Sequence, residues 1–219
     1  LFGAWAAKRI RNSGDRTLNM LDIGTGTGLL SLMIAQQCDA LIDAIEIDKA
    51  AAGQAEENVV SSPWKEKVRV TQGDIKYFAK SSSPRYDIVI CNPPFYENEL
   101  VSPSHEKNIA HHSQELLLNE VLQAIRDKLT RQGQFFLLLP FKRMDEAVSL
   151  LKKFNLLVTE TVLVRQSLNH NFFRVLIAGT SDDNSNEKKY SRNELAIMDE
   201  QQQYTKEFID LLKDYYLYL

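Results

Sequence analysis

Two stretches of this sequence combine residue types at spacings suited to chemistry. The first is Asp22-Ile23-Gly24-Thr25-Gly26-Thr27-Gly28, a G-x-G-x-G run preceded by an acid. Glycines at alternate positions let a backbone turn tightly and approach a ligand with no Cβ in the way. A dinucleotide fingerprint would place its third glycine at position 29, which is Leu29. A fixed carboxylate beside the loop repels pyrophosphate and attracts a ligand that carries an ammonium group. Two more acids follow at the ends of the next two strands. Glu46 has the spacing of a carboxylate that accepts from both ribose hydroxyls, and Asp74 is placed to accept from an adenine amine. Each acid alone has a plain reading: Asp22 or Asp74 as a helix cap, Glu46 as a solvated strand end, Asp48 as an N-cap.

Taken together, the loop and three strand-end acids describe a site for S-adenosyl-L-methionine, with S-adenosyl-L-homocysteine as the product. The expected cofactor-binding set is Asp22, Gly24, Thr25, Gly26, Gly28, Glu46, Ile47, Asp74, Ile75 and Asn92. The second stretch, Asn92-Pro93-Pro94-Phe95, supplies the expected catalytic set. An adenine or amide nitrogen is a poor nucleophile because its lone pair is delocalised. The Asn92 side-chain oxygen and the Pro93 carbonyl can each accept one N–H, which turns the lone pair toward a sulfonium methyl. Pro93 and Pro94 preorganise those acceptors, and Phe95 offers a face for a flipped-out base, worth about 1–3 kcal/mol. The alternative is a simple turn, since Asn-Pro is a common turn dipeptide.

Both stretches need a scaffold that brings strand ends together. Short β-rich runs alternate with helical patterns, as in βαβ units around a mainly parallel sheet. Strands are expected at 17–23, 41–47, 68–71, 86–91 and 133–139, and helices at 29–37, 49–60, 75–79, 115–129 and 143–154. Two further β-like runs, 156–164 and 172–178, are separated by a polar connection suited to a hairpin. Residues 95–113 read as a long polar loop without period, 181–189 as a solvated linker, and the aromatic tail as a docked helix. The fold class expected is α/β: a Rossmann-like, seven-stranded class I methyltransferase sheet with helices on both faces; the order 3-2-1-4-5-7-6 with strand seven antiparallel is taken by analogy with that fold, since pairing is not written in one sequence.

The 219 residues suit one domain spanning 1–219. With 44% hydrophobic and 25% charged residues the composition is that of a globular chain, and a net charge of −3 argues against a general nucleic-acid coat while leaving room for a local basic patch. Cys38 and Cys91 lie in apolar runs without metal-ligand spacing, so buried thiols are expected and no metal. No apolar run approaches the ~20 residues of a membrane span and no signal peptide opens the chain, so the expected location is cytoplasmic. The chain opens on Leu1 rather than Met, which raises the expectation of a native segment before it.

With these motifs in order, the chain resembles the amino-methyltransferases that carry an N-P-P-aromatic motif. Within them it is most similar to the bacterial tRNA1(Val) adenine-37 N6-methyltransferases. The resemblance extends to Leu-Phe-Gly-Ala-Trp-Ala at 1–6, Leu21 to Met33, Asn58 to Trp64, Asn-Pro-Pro-Phe-Tyr at 92–96 and the Tyr-x-Leu ending at 216–219. It implies an enzyme, taken here as a monomer, that flips adenine 37 of a tRNA out of its stack. The resembled family carries a segment with a Gly-Thr-Asp signature before the Gly-Ala-Trp. Lys142, Arg143, Lys152, Lys153, Arg165, Arg174, Lys188, Lys189 and Arg192 are candidate phosphate contacts. His105, His111, His112 and Lys107 lie in the long loop, and RNA contact or plain loop residues are the readings there rather than metal. Competing readings are a protein-glutamine N5-methyltransferase acting on release factors, which would hold a side-chain amide with a similar tetrapeptide, a DNA or rRNA amino-methyltransferase, and a non-catalytic cofactor-binding module.

Overall fold

The structure, a computed structural model, describes residues 1–11, 16–80, 84–93, 105–181 and 190–218, without the side chains of 105–116. Its core is a parallel arrangement of β1 (Leu18–Ile23), β2 (Ala40–Glu46), β3 (Val68–Gln72), β4 (Tyr86–Cys91) and β5 (Leu129–Pro140). β1 is nearly continuously buried, as expected of a central strand covered on both faces. β6 (Leu157–Ser167) and β7 (Phe172–Thr180) form a hairpin, with β7 antiparallel to both β5 and β6.

The observed order is β3-β2-β1-β4-β5-β7-β6-β8. This is the expected seven-strand order with one more strand: β8 (Ser191–Met198) adds in parallel to the free edge of β6. Nothing in the sequence reading marked residues 191–198 as a strand. Only Leu195 is buried there, and an outermost strand with one buried residue shows no period-2 alternation.

Helices cover both faces. On one, α1 (Phe2–Ile10), α2 (Leu29–Gln37) and α7 (Lys206–Leu212) pack with Met20, Ile42, Ile90, Phe136 and Leu176. On the other, α5 (His105–Lys128) and α6 (Met144–Lys153) pack with Leu21, Val89, Phe135, Leu137 and Ile177. The alternation of Phe135, Phe136 and Leu137 between the two cores is the pleat of β5 at work. α3 (Lys49–Val60) and α4 (Ile75–Lys80) follow β2 and β3. Asp48 caps α3 as expected, its Oδ1 accepting from Ala51 N at 2.8 Å.

Two local expectations change. The loop anticipated through Ser113 is helical from His105, because no Gly or Pro interrupts 105–128 and α5 propagates back from its amphipathic half. At the other end, the docked tail helix is α7, and it stops at Leu212; Leu217 and Tyr218 are exposed. α1, to which no element was assigned, seats Trp5 on Phe136 edge-on at 5.5 Å and ties Arg9 to Glu160 at 2.5 Å. Cys38 and Cys91 are both buried free thiols. No helix of the described residues is long and apolar enough to cross a membrane.

Candidate active site

The carboxyl ends of β1, β2, β3, β4 and β5 meet at a cleft of about 870 Å³, lined in part by Gly24, Gly26, Glu46, Asp74, Asn92 and Pro93. The glycine loop between β1 and α2 forms its floor. Gly24, Gly26 and Gly28 all have positive φ, at +69°, +60° and +84°, a region other residues occupy only at a cost. The backbone N–H groups of Gly24 and Thr25 donate to the Ile45 carbonyl at 2.9 and 3.1 Å, which welds the loop to β2. α3 braces it from outside, with Asn58 Nδ2 donating to the Thr27 carbonyl at 2.9 Å. A Cβ built on Gly24 or Gly26 would meet no protein atom within 4 Å. Their missing side chains therefore keep open space above the loop.

Asp22 is placed beneath this loop and is not part of the cleft wall. It is wholly buried, and its Oδ2 accepts from Thr25 Oγ1 and Ser31 Oγ, both at 2.7 Å. Its Oδ1 has no hydrogen-bond partner. Loss of water pushes the carboxyl up to about 6; the Thr25 and Ser31 hydroxyls and the Ser31 backbone N–H oppose this, and the charge of Glu46 adds to it. Glu46 is on the wall. Its Oε2 accepts from Gly26 N at 2.8 Å and its Oε1 from Asp48 N at 2.9 Å, so one side chain clamps both the loop and the start of α3. Asp74 caps α4 through Oδ1 and Lys76 N at 2.9 Å while also lining the cleft. Its cap and ligand readings are therefore compatible. Ile47, 64% exposed, and Ile75 add apolar wall on either side.

On the acceptor side, Asn92 is exposed and Pro93 buried, directly after the last residue of β4. Leu138, Leu139 and Pro140 of β5 continue that wall. Pro94 and Phe95 lie outside the described residues, as do Lys188, Lys189 and the side chains of His105, Lys107, His111 and His112.

The family described as Methyltransferase small domain matches residues 7–154. A tRNA1(Val) (adenine(37)-N6)-methyltransferase of Bacteroides thetaiotaomicron is 34% identical over 221 residues, an alignment that takes in 100% of this chain and 88% of the relative. The chain belongs to the tRNA1(Val) (adenine(37)-N6)-methyltransferase family.

Solved structures of more distant sequence share the fold. A protein of Agrobacterium tumefaciens described as a predicted O-methyltransferase superimposes with a TM-score of 0.74 at 15% identity, covering 97% of this chain and 96% of that one. The glycopeptide N-methyltransferase MtfA in complex with S-adenosyl-L-methionine gives 0.60 at 13% identity, covering 82% and 93%.

Within this methyltransferase the structure brings together Gly24, Thr25, Gly26, Glu46, Ile47, Asp74, Ile75, Asn92 and Pro93 on one cleft, with Asp22 behind it. Gly28 starts α2 and packs against Ala55 rather than facing the cleft. Sequence reasoning missed Ser31, the second hydroxyl on Asp22; the only signal was one serine in the apolar run Leu29 to Ile34. It also missed Lys76 and Glu120, both on the cleft wall and paired at 2.6 Å from α4 to α5. No sequence signal joins two residues so far apart. The basic residues are sorted as well: Arg143 is buried and donates to both oxygens of Glu146 at 2.9 and 2.6 Å, and Arg174 lines the cleft. Among the described residues no three His, Cys, Asp or Glu gather as a metal site.

Proposed function

We propose that this chain transfers the methyl group of S-adenosyl-L-methionine to N6 of adenine 37 in tRNA1(Val), acting as a cytoplasmic monomer with 1–219 as one catalytic domain. The acceptor follows from the family to which the chain belongs. The observation that carries the chemistry is the position of Asn92 and Pro93 on the same cleft as the glycine loop and Glu46.

The residues present fit the donor. Open space above Gly24 and Gly26 admits its methionine portion close to the backbone, and the buried Asp22, with one oxygen unpaired, holds negative charge beneath that point. Glu46 and Asp74, both on the cleft wall, would accept from ribose hydroxyls and an adenine amine, and Ile47 and Ile75 beside them would supply apolar surface for the base. A volume near 870 Å³ is within the range of small-molecule sites and leaves room for a second ring. When bound, this donor supplies an electrophilic sulfonium methyl.

The chain's own part is positioning. The Asn92 side-chain oxygen and the Pro93 carbonyl accept the two N6 hydrogens, and this orients the nitrogen lone pair at the methyl carbon. The nitrogen gains a methyl and releases one proton to solvent, so no strong base is needed in the wall. Pro94 and Phe95 complete the tetrapeptide, with Phe95 as a stacking face for the extruded base.

The test uses radiolabelled S-adenosyl-L-methionine with tRNA1(Val) transcript, bulk rRNA, duplex DNA and release factor in separate reactions. Label in tRNA, lost when adenine 37 is replaced by guanine, is expected; label only in DNA or release factor would remove the reading. Asn92→Ala should abolish transfer while donor affinity by calorimetry stays within about threefold, because its lost contact is to the acceptor. Equal loss of both would make Asn92 structural.

A further inference from the structure

Topology separates the basic side chains into those near the cleft and those far from it. β6 runs in the direction of β5, since both are antiparallel to β7, so the turn of the β6–β7 hairpin lies at the sheet edge that carries the cleft. Lys152 and Lys153 end α6, and Arg192 begins β8 opposite Thr161, which puts all three at the other edge. Arg165 donates to Glu194 at 3.0 Å and to the Leu168 carbonyl at 3.1 Å, and so braces the hairpin. Arg174 is the member of this set that lines the cleft.

A backbone irregularity lies next to it. Along the hairpin Val164 faces Arg174 but Arg165 faces Phe172, which leaves Phe173 as an extra residue in β7. Such bulges re-aim side chains and are frequent beside active sites. Phe173, the inserted residue, is 40% exposed, and the Arg174 guanidinium lies 5.5 Å over its ring with Nη1 donating to the Phe173 carbonyl at 3.1 Å. Arg174 faces Pro140 across β5, and Cys91 faces Leu137 on the other side of the same strand. Only the end of β5 therefore separates Asn92 from Arg174, two strand spacings across and two residues along, roughly 12 Å between Cα positions.

We propose that Arg174 and Phe173 form the contact that positions the RNA: Arg174 binds the backbone phosphate flanking the extruded adenine, and Phe173 stacks the neighbouring base. The proposal rests on the reading of the chain as a tRNA adenine methyltransferase. A guanidinium laid on an aromatic ring keeps its planar fork preordered for the oxygens of a phosphate. A half-exposed ring beside it is a stacking platform indifferent to base identity. Both are positioning residues; neither touches the reacting nitrogen.

The experiment compares the full chain with Arg174→Ala, Arg174→Gln, Arg174→Lys and Phe173→Ala on tRNA1(Val) transcript. Arg174→Ala should raise the tRNA KM about tenfold, the scale of one charge-assisted hydrogen bond, with kcat and S-adenosyl-L-methionine affinity little changed. It should also lower the slope of log affinity against log salt by roughly 0.7, one single-strand phosphate. Arg174→Lys should restore the slope and part of the affinity. Phe173→Ala should weaken binding about tenfold at an unchanged slope. Arg174→Gln keeps a stem on the ring and removes only the charge, so it reports the same loss if the alanine variant does not fold. Wild-type KM and salt slope in Arg174→Gln or Arg174→Ala would overturn the proposal, as would loss of donor affinity in place of tRNA affinity. Those outcomes, with an active wild type, leave the acceptor reading intact; a wild type that neither binds nor methylates tRNA overturns both.

Discussion

Replacing Asp22 by Asn tests how the buried acid beneath the glycine loop is held. Only Oδ2 of Asp22 is bonded, Oδ1 has no partner, and the residue is 0% exposed. Desolvation is the largest influence on it and raises its pKa from 3.8 to about 6. A carboxyl that is harder to ionise in the folded state contributes stability below the unfolded value, and loses that contribution as pH climbs through the folded one. A rise from 3.8 to about 6 corresponds to roughly 3 kcal/mol carried as a cost at neutral pH. Asparagine keeps the acceptor for Thr25 and Ser31 without the charge. The stability of the ligand-free Asp22→Asn protein relative to the wild type should rise by up to about 3 kcal/mol between pH 4 and pH 8, on top of a pH-independent cost for the amide N–H groups placed where Oδ1 has no partner. Urea denaturation at intervals from pH 4 to 8 measures the difference, in which ionisations common to both proteins cancel. On the proposed donor site, the same variant should bind S-adenosyl-L-methionine more weakly, since it lacks the negative charge beneath the glycine loop. A stability difference that does not change with pH would refute the assignment of a desolvated carboxylate.

Two further outcomes follow from the packing around the cleft. Gly26→Ala meets no protein atom near its new Cβ but keeps φ at +60°, so urea denaturation should show a loss of only about 1–2 kcal/mol. Calorimetry should show a larger loss of donor affinity, because the methyl group occupies the space above the loop. Trp5→Ala empties a site that is 2% exposed, edge-on to Phe136 and beneath Arg9 at 4.4 Å. It should cost about 3–5 kcal/mol in denaturant, with donor affinity per folded molecule unchanged.

The eighth strand and the long fifth helix show where sequence patterning falls short. β8 is an outer strand with a single buried residue, and α5 starts in a polar stretch whose helicity is continued from its buried half. In both, position relative to the rest of the sheet or helix sets the local state, and a window of the sequence holds too little of that information. The inner strands and α2, α3 and α6 were legible because both faces of the sheet are covered, which enforces apolar runs and helical periods.

By itself the sequence determined the parts whose chemistry is local. Glycines at 24, 26 and 28 permit the left-handed turn, Asp22, Glu46 and Asp74 end successive strands, and Asn92-Pro93 follows the fourth. Those spacings place the site because strand ends in a parallel sheet converge on one edge. Tertiary structure decided which groups face the ligand. It moved Asp22 behind the loop with Ser31, gave Glu46 two backbone N–H groups, joined Lys76 to Glu120, and inserted Phe173 as an extra residue in β7 beside Arg174 on the cleft wall. Burial, register and a bulge are properties of pairs of elements, and no single stretch of sequence carries them.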